Sequence, residues 1–221
     1  MRYLNLFVFC LFGASLSVEA ASVVKVSTDD VYVDMGKKKG VQIGPMFNVY
    51  RKKEVESEYG NMKFTTQVFI GRLIAYKVGD TQTVARIKEM SAKIDEDTEK
   101  AILKSDVAQS ALVVLADGLF KRDDTILLSS GIPTLRRMAS FINRFKALKV
   151  RIEVHTDSDT QGATKLSRSQ SKSIRDWLVK EAGIARNIFV SVGYGDQKPI
   201  ADNGTTAGQK ANRRVEIVIE D

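Results

Sequence analysis

The sequence has very few of the residues that most catalytic and metal centres use. It contains one cysteine, Cys10, and one histidine, His155, among 221 residues. A single histidine does not form a metal cluster, and a single thiol excludes an internal disulfide. No spacing of a nucleophile, a base and an acid is recognisable either. We therefore expect no catalytic centre, no metal site and no cofactor.

Long apolar runs are absent beyond the first residues. Arg2 precedes an apolar run over residues 3–16, and a small-x-small cleavage motif follows at residues 18–20. This run is shorter than the roughly 20 residues that a membrane-spanning helix needs. The pattern predicts a cleaved signal peptide over residues 1–20, with an uncleaved membrane anchor as the alternative. Cys10 lies inside this segment and would leave with it, and we expect no transmembrane span in the mature chain.

Charge of one sign is present in excess but is not concentrated. The formal net charge is +7, yet the sequence contains no long block of like charges. An exported basic protein is expected to meet the anionic surfaces of a cell envelope. The scattered basic residues do not predict nucleic-acid binding.

Residues 22–107 predict a small all-β domain. Runs of β-branched and aromatic residues alternate there with turns that contain glycine, one of them Gly71. The expected strands lie at residues 23–26, 31–33, 47–50, 68–70 and 83–87. Because closing the strands into a barrel removes exposed edges, we predict a barrel-like domain. The charged segment 88–100 is interpreted as a solvated excursion or a short helix.

Residues 108–221 predict an α/β domain of the βαβαβ type, because strand patterns alternate there with helical ones. The expected strands lie at residues 111–115, 150–154, 188–192 and 215–219, and the expected helices at residues 132–145 and 166–182. Ser129 or Ser130 is the expected cap of the first helix, and Gly183 is the expected stop of the second. The segment 193–195, Gly-Tyr-Gly, lacks the third glycine of a phosphate loop and is interpreted as a turn.

A series of short motifs gives the sharpest signal in this half of the chain. They are Leu119-Phe120, His155-Thr156-Asp157, Leu166-Ser167, Gly193-Tyr194-Gly195-Asp196, Pro199-Ile200-Ala201-Asp202-Asn203, Gly208-Gln209 and Asn212-Arg213-Arg214-Val215-Glu216-Ile217. In this order and spacing they resemble the OmpA-like peptidoglycan-binding domain over about half of the chain. The glycines and apolar positions of the N-terminal half resemble, less specifically, the C-terminal domain of the flagellar assembly protein FlgT. That second resemblance implies an adaptor fold without catalytic residues.

The first resemblance implies a pocket that grips the diamino acid of a peptidoglycan stem peptide. The strand-end aspartate of that family corresponds to Asp157, which follows Thr156, and its last arginine corresponds to Arg213 or Arg214. A carboxylate at 157 suits the ammonium group of the ligand, and a guanidinium suits the ligand carboxylate. We expect the two arginines to differ in role, with one of them supporting the fold.

The chain departs from the family pattern at one pocket position. Where the family has an arginine after the Leu-Ser motif, this chain has Gln170. Glutamine donates hydrogen bonds but carries no charge, so the exchange weakens an anion site by roughly 1–3 kcal/mol unless something compensates. Arg168 is the neighbouring basic candidate. Two residues along a helix correspond to about 200° of rotation, so direct substitution by Arg168 is not expected.

Two functions remain open from the sequence. One is an exported, non-enzymatic protein that binds peptidoglycan through the C-terminal domain and engages an envelope or flagellar-motor partner through the N-terminal domain. The other is a structural or assembly protein whose OmpA-like domain is a protein–protein module, as Gln170 suggests. Both predict a periplasmic protein that is associated with the cell wall or the outer membrane.

Overall fold

The structure is a computed structural model that describes residues 21–44, 46–56, 63–91, 98–99, 101–147 and 149–220. The signal peptide expected over residues 1–20 lies outside these ranges, and so do residues 92–97 and 100 of the charged segment. Within the described ranges, no helix is both long and apolar enough to cross a bilayer.

A single mixed sheet of nine strands organises the described residues. Its strands are β1 (Val23–Val26), β2 (Val31–Val33), β3 (Met46–Glu56), β4 (Lys63–Val78), β5 (Thr83–Met90), β6 (Val107–Leu115), β7 (Lys149–His155), β8 (Phe189–Gly195) and β9 (Arg214–Glu220). The helices are α1 (Ile132–Phe145), α2 (Ala163–Lys180) and α3 (Thr206–Asn212). The strand order is β1-β2-β5-β4-β3-β6-β9-β7-β8. Of these pairs, β7 with β8 is parallel and the others are antiparallel.

Strands β1 and β2 have the predicted bounds, whereas β3, β4 and β5 are longer than the sequence predicts. Gly71 was expected to end a strand, but it lies inside β4, where that strand pairs with both β3 and β5. A Cβ atom at this position would lie 2.5 Å from the carbonyl oxygen of Glu89. The glycine therefore permits a close approach of β5 instead of forming a turn. At the far end, an isolated bridge between Ser22 and Val107 brings the chain before β1 beside the start of β6.

Strand β6 belongs to both halves of the molecule. Its residues 107–111 pair with β3, and its residues 111–115 pair with β9. The sequence predicts only the second part as a strand, because the polar residues Gln109 and Ser110 interrupt the apolar pattern. The division into two domains at residue 107 remains a prediction, and this shared strand makes the sheet continuous across it.

The C-terminal half has the predicted alternation of strands and helices. Apolar residues of α1 and α2, such as Leu135 and Ile174, pack on alternate residues of the strands, such as Ile152 and Ile217. The expected serine cap of α1 was wrong. No serine side chain caps this helix, since residues 129–131 form a 3-10 turn that runs directly into it. The short helix α3 has no counterpart among the elements predicted from the sequence.

The segment 193–195 is part of strand β8, so its interpretation as a turn was wrong. A Cβ atom on Gly193 would lie 2.1 Å from the backbone nitrogen of Arg168 in α2. Glycine is needed at this position because the helix backbone packs directly on the strand. This contact fixes the first turns of α2 next to the end of β7.

The face of the C-terminal sheet that carries no helix is covered by the N-terminal strands. On this face Glu216 of β9 accepts a hydrogen bond from Asn48 of β3 (2.7 Å) and one from Arg214 (2.7 Å). It also pairs with the guanidinium of Arg72 in β4, which pairs in turn with Glu89. Glu216, Arg72 and Arg214 are all buried. A buried ionic network of β3, β4 and β9 therefore joins the two halves.

We predict that Arg72→Met lowers the free energy of unfolding by about 3–5 kcal/mol, because it leaves buried carboxylates without their partner. Arg86→Met is the matched control. Arg86 is 64% exposed and lies 3.8 Å from Asp30, so its loss should cost less than about 1 kcal/mol. Urea denaturation followed by circular dichroism measures both values. Equal losses in the two variants would contradict the role given to the buried network.

Candidate functional site

A shallow, open depression lies at the end of the sheet where β6 and β7 end and β9 begins. Its walls come from the loop after β6, the end of β7, the first turns of α2 and the junction of α3 with β9. The lining residues are Ala116, Asp117, Phe120, Lys121, Arg122, Asp123, His155, Thr156, Thr160, Leu166, Gln170 and Arg213. Segments far apart in the chain thus meet at one place.

Asp157 is fully buried and contacts three residues that line this depression. One of its carboxylate oxygens accepts from the hydroxyl of Thr160 at 2.7 Å. The other accepts from Nη1 of Arg213 at 2.5 Å and lies 3.5 Å from Nη2 of Arg122. Burial alone would raise the pKa of the Asp157 carboxyl, but the bond from Thr160 and the bond and charge of Arg213 outweigh it. The pKa is therefore lowered, and Asp157 is a carboxylate at neutral pH.

Arg213 is held by two aspartates. Its Nε and Nη2 atoms donate to the two oxygens of Asp117, both at 2.8 Å, while Nη1 donates to Asp157. The hydrogen bonds that Arg213 donates to Asp117 are the main reason why the pKa of Arg213 is raised. This paired arrangement keeps the guanidinium rigid at the mouth of the depression.

Thr156 has an unsatisfied polar group in the depression. Its side chain is buried, and its hydroxyl has no hydrogen-bond partner in the described part of the chain. Its backbone N–H donates to the carbonyl of Gly195 at 2.9 Å, which holds the residue at the end of β7. A buried hydroxyl without a partner is costly, so this group is suited to a polar atom of a ligand.

The structure brings four of the six sequence-predicted site residues together: Thr156, Asp157, Gln170 and Arg213. Arg214 is turned away, and its guanidinium donates to Glu216 and to the carbonyls of Asn212 and Lys198. The two arginines differ in role in this structure, as expected.

Arg168 also lies apart from the depression. Its side chain is exposed, and it is not among the lining residues. Its backbone packs on β8, as described above, which agrees with the helical rotation expected from the sequence.

Sequence reasoning missed three members of the site, namely Asp117, Arg122 and Thr160. Asp117 lies in a 3-10 turn and the other two lie in loops, where no periodic pattern distinguishes a ligand-facing side chain from a solvated one. For Arg122, the available signal is the run of polar residues that follows Phe120.

Residues 119–213 match the model of the OmpA family. The match confirms the OmpA-like domain, with its α/β fold, that the motifs of the C-terminal half predict. Ten of the twelve residues that line the depression lie within this match, and Ala116 and Asp117 directly precede it.

Two curated proteins illustrate the similarity. Outer membrane porin F of Pseudomonas fluorescens is 36% identical over 116 residues, which cover 52% of this chain and 35% of that protein. Peptidoglycan-binding protein ArfA of Mycobacterium bovis is 34% identical over 115 residues, which cover 50% of this chain and 35% of that protein. The chain thus spans about a third of the length of these relatives. Their names agree with the envelope location expected from the sequence.

Among solved structures, the cell wall anchor of the T6SS from Pseudomonas aeruginosa is 26% identical to this chain. The superposition covers 55% of this chain and 84% of the chain of the anchor, with a TM-score of 0.46.

Three buried residues next to the depression, Glu153, His155 and Glu216, have side chains that can bind metal ions. Ligand atoms of Glu153, His155 and Glu216 lie within 4.8 Å of one another. The carboxylates, however, are already paired with guanidinium groups: Glu153 with Arg151, and Glu216 with Arg72 and Arg214. The guanidinium groups on these oxygens repel a cation and occupy the positions that a metal ion would need. The trio is therefore part of the buried network and does not fit a metal ion.

His155 is neutral within this network. Burial, and then the charge of Arg214, lower its pKa from 6.5 to about 4. Its Nε2 atom lies 3.5 Å from Glu216 and 3.6 Å from Glu153, too far for good hydrogen bonds. Its ring stacks on Tyr194 with centroids 5.2 Å apart.

We predict that acidification destabilises the protein through His155. Its pKa is lower in the folded state, so the unfolded state binds the additional proton and stability falls as the pH drops from 6.5 towards 4. Between pH 7.5 and 5 the loss is about 2 kcal/mol. Glu153, whose pKa is lowered from 4.5 to about 2, contributes only at more acidic pH.

Urea denaturation at pH 7.5 and at pH 5 measures this loss in the wild type and in His155→Gln. The variant should lose about 2 kcal/mol less than the wild type, because glutamine does not titrate. His155 is the only histidine of the chain, so no other histidine contributes in this window. The same loss in both proteins would show that His155 does not titrate as described.

Proposed function

We propose that the protein is an exported, non-enzymatic component of the cell envelope that binds peptidoglycan non-covalently through its OmpA-like domain. The observation that carries this proposal is the depression built on Asp157. It combines a carboxylate of lowered pKa, a buried hydroxyl without a partner and guanidinium groups of Arg122 and Arg213. No nucleophile with an activating base lies among the lining residues.

These groups suit a zwitterionic ligand such as the diamino acid of a peptidoglycan stem peptide. A ligand ammonium can pair with Asp157, and the hydroxyl of Thr156 can bond to a neighbouring polar atom. A guanidinium suits the ligand carboxylate, because charge-assisted hydrogen bonds between these two groups are stronger than hydrogen bonds between neutral groups. Because the depression has a carboxylate and guanidinium groups close together, it favours a ligand that carries both a positive and a negative charge.

The N-terminal strands are proposed to engage an envelope or flagellar-motor partner. The buried network around Glu216 supports this role, because it ties β3 and β4 to the strand β9, which directly follows Arg213 of the binding site. A rigid connection of this kind would hold a bound partner at a fixed position relative to the cell wall.

We predict that Asp157→Asn lowers retention on purified sacculi at least tenfold, because the amide no longer balances the charge of a ligand ammonium. The measurement is the fraction of protein that sediments with sacculi at low ionic strength. The thermal midpoint of each variant should be recorded, since Asp157 also pairs with Arg213.

Asp29→Asn is the matched control, because it removes the same charge from an exposed residue between β1 and β2. It should sediment like the wild type. A folded Asp157→Asn protein that is retained as well as the wild type would refute the proposed site. A wild type that stays in the supernatant would refute wall binding and favour the protein–protein module.

A further inference from the structure

The geometry points to Arg122 as the residue that binds the carboxylate of the wall ligand, supplying the charge that Gln170 lacks. In the free protein Arg122 covers Asp157. When a zwitterionic ligand binds, its ammonium replaces Arg122 on Asp157, and the released guanidinium pairs with the ligand carboxylate. This inference rests on the proposed function of the depression, and it names the residue that completes it.

Arg122 lies in a tight turn at the edge of the depression. The backbone N–H of Asp124 donates to the carbonyl of Lys121 at 3.1 Å, and Asp123 has a φ of 60°, so the chain reverses at this point. Arg122 lines the depression, and its side chain is 54% exposed. It can therefore turn towards a ligand without crossing packed residues.

Gln170 anchors this turn. Its Nε2 atom donates to the carbonyl oxygen of Asp124 at 2.7 Å, and the hydroxyl of Ser173 donates to the carbonyl of Thr125 at 2.9 Å. Two side chains of α2 thus hold the backbone of the loop that carries Arg122. Gln170 is a positioning residue in this arrangement, because its amide is used on the protein backbone and not on a ligand.

Arg213 is not free to take the same part. Its Nε, Nη1 and Nη2 atoms all donate to Asp117 or Asp157. Releasing it would leave two carboxylates without a partner. Arg122 has one contact with Asp157, at 3.5 Å, which is longer than a good hydrogen bond. Of the two guanidinium groups on Asp157, Arg122 is therefore the one that a ligand displaces at low cost.

The exchange keeps the charges balanced. Asp157 is paired with Arg122 before binding and with the ligand ammonium afterwards, while Arg122 passes to the ligand carboxylate. A ligand with only one of the two charges would leave a charge unpaired on the protein. The depression should thus discriminate between a stem peptide with a free carboxylate on its diamino acid and the same peptide with that carboxylate amidated.

The test is isothermal titration calorimetry with these two stem peptides as probes. We expect Arg122→Gln to weaken binding of the free-carboxylate peptide at least tenfold and to change binding of the amidated peptide by no more than twofold. Arg137→Gln is the matched control, since Arg137 is exposed on α1 and is not a lining residue. It should leave both affinities within twofold of the wild type.

A double variant tests whether the charge at 122 replaces the one missing at 170. Adding Gln170→Arg to Arg122→Gln places a guanidinium on α2 beside the same depression. It should restore at least half of the lost affinity, on a logarithmic scale, for the free-carboxylate peptide. Failure of this rescue would mean that the two positions do not serve one anion.

The remaining outcomes separate the two proposals. If the wild type binds, Asp157→Asn abolishes binding and Arg122→Gln changes nothing, the wall-binding function stands and the role of Arg122 is refuted. If Arg122→Gln weakens both peptides equally, Arg122 does not recognise the carboxylate and the inference is wrong. If the wild type binds neither the peptides nor sacculi, the proposed function and the inference fall together.

Discussion

The buried carboxylate of Glu216 is the constraint on which the rest of the structure depends. It accepts from Arg214 on its own strand β9 and from two residues far away in the sequence, Asn48 of β3 and Arg72 of β4. Buried charges are tolerated only when each has its partner. A change in the register of these strands would leave a charge unpaired inside the sheet. The network thus fixes how the N-terminal strands lie on the C-terminal sheet.

The same network positions the proposed binding site. Arg214 is held on the buried face of β9 by Glu216, and the preceding residue, Arg213, points to the other side. It reaches Asp117 and Asp157 at the end of the sheet. Adjacent residues of one motif therefore serve two purposes, since one stabilises the sheet and the other shapes the depression.

Most C-terminal elements could be predicted because their apolar residues repeat with the period of a helix or a strand. The stripe of α1, from Leu135 to Ile142, is an example. The short helix α3 escaped prediction because it contains few apolar residues and only Gly208 and Asn212 are buried. The outer part of β3 and β4 escaped because its residues are half-exposed and polar, with Gly71 imitating a turn.

The sequence by itself determined the family of the C-terminal domain, the strand that leads to Asp157 and the absence of an arginine at position 170. These features depend on the order and spacing of neighbouring residues, which can be read directly from the sequence. Only the tertiary structure decided which of the two adjacent arginines faces Asp157, and only it brought Arg122 beside that carboxylate. The physical reason is that both decisions depend on pairing between strands and loops far apart in the chain, where burial and charge balance select one arrangement.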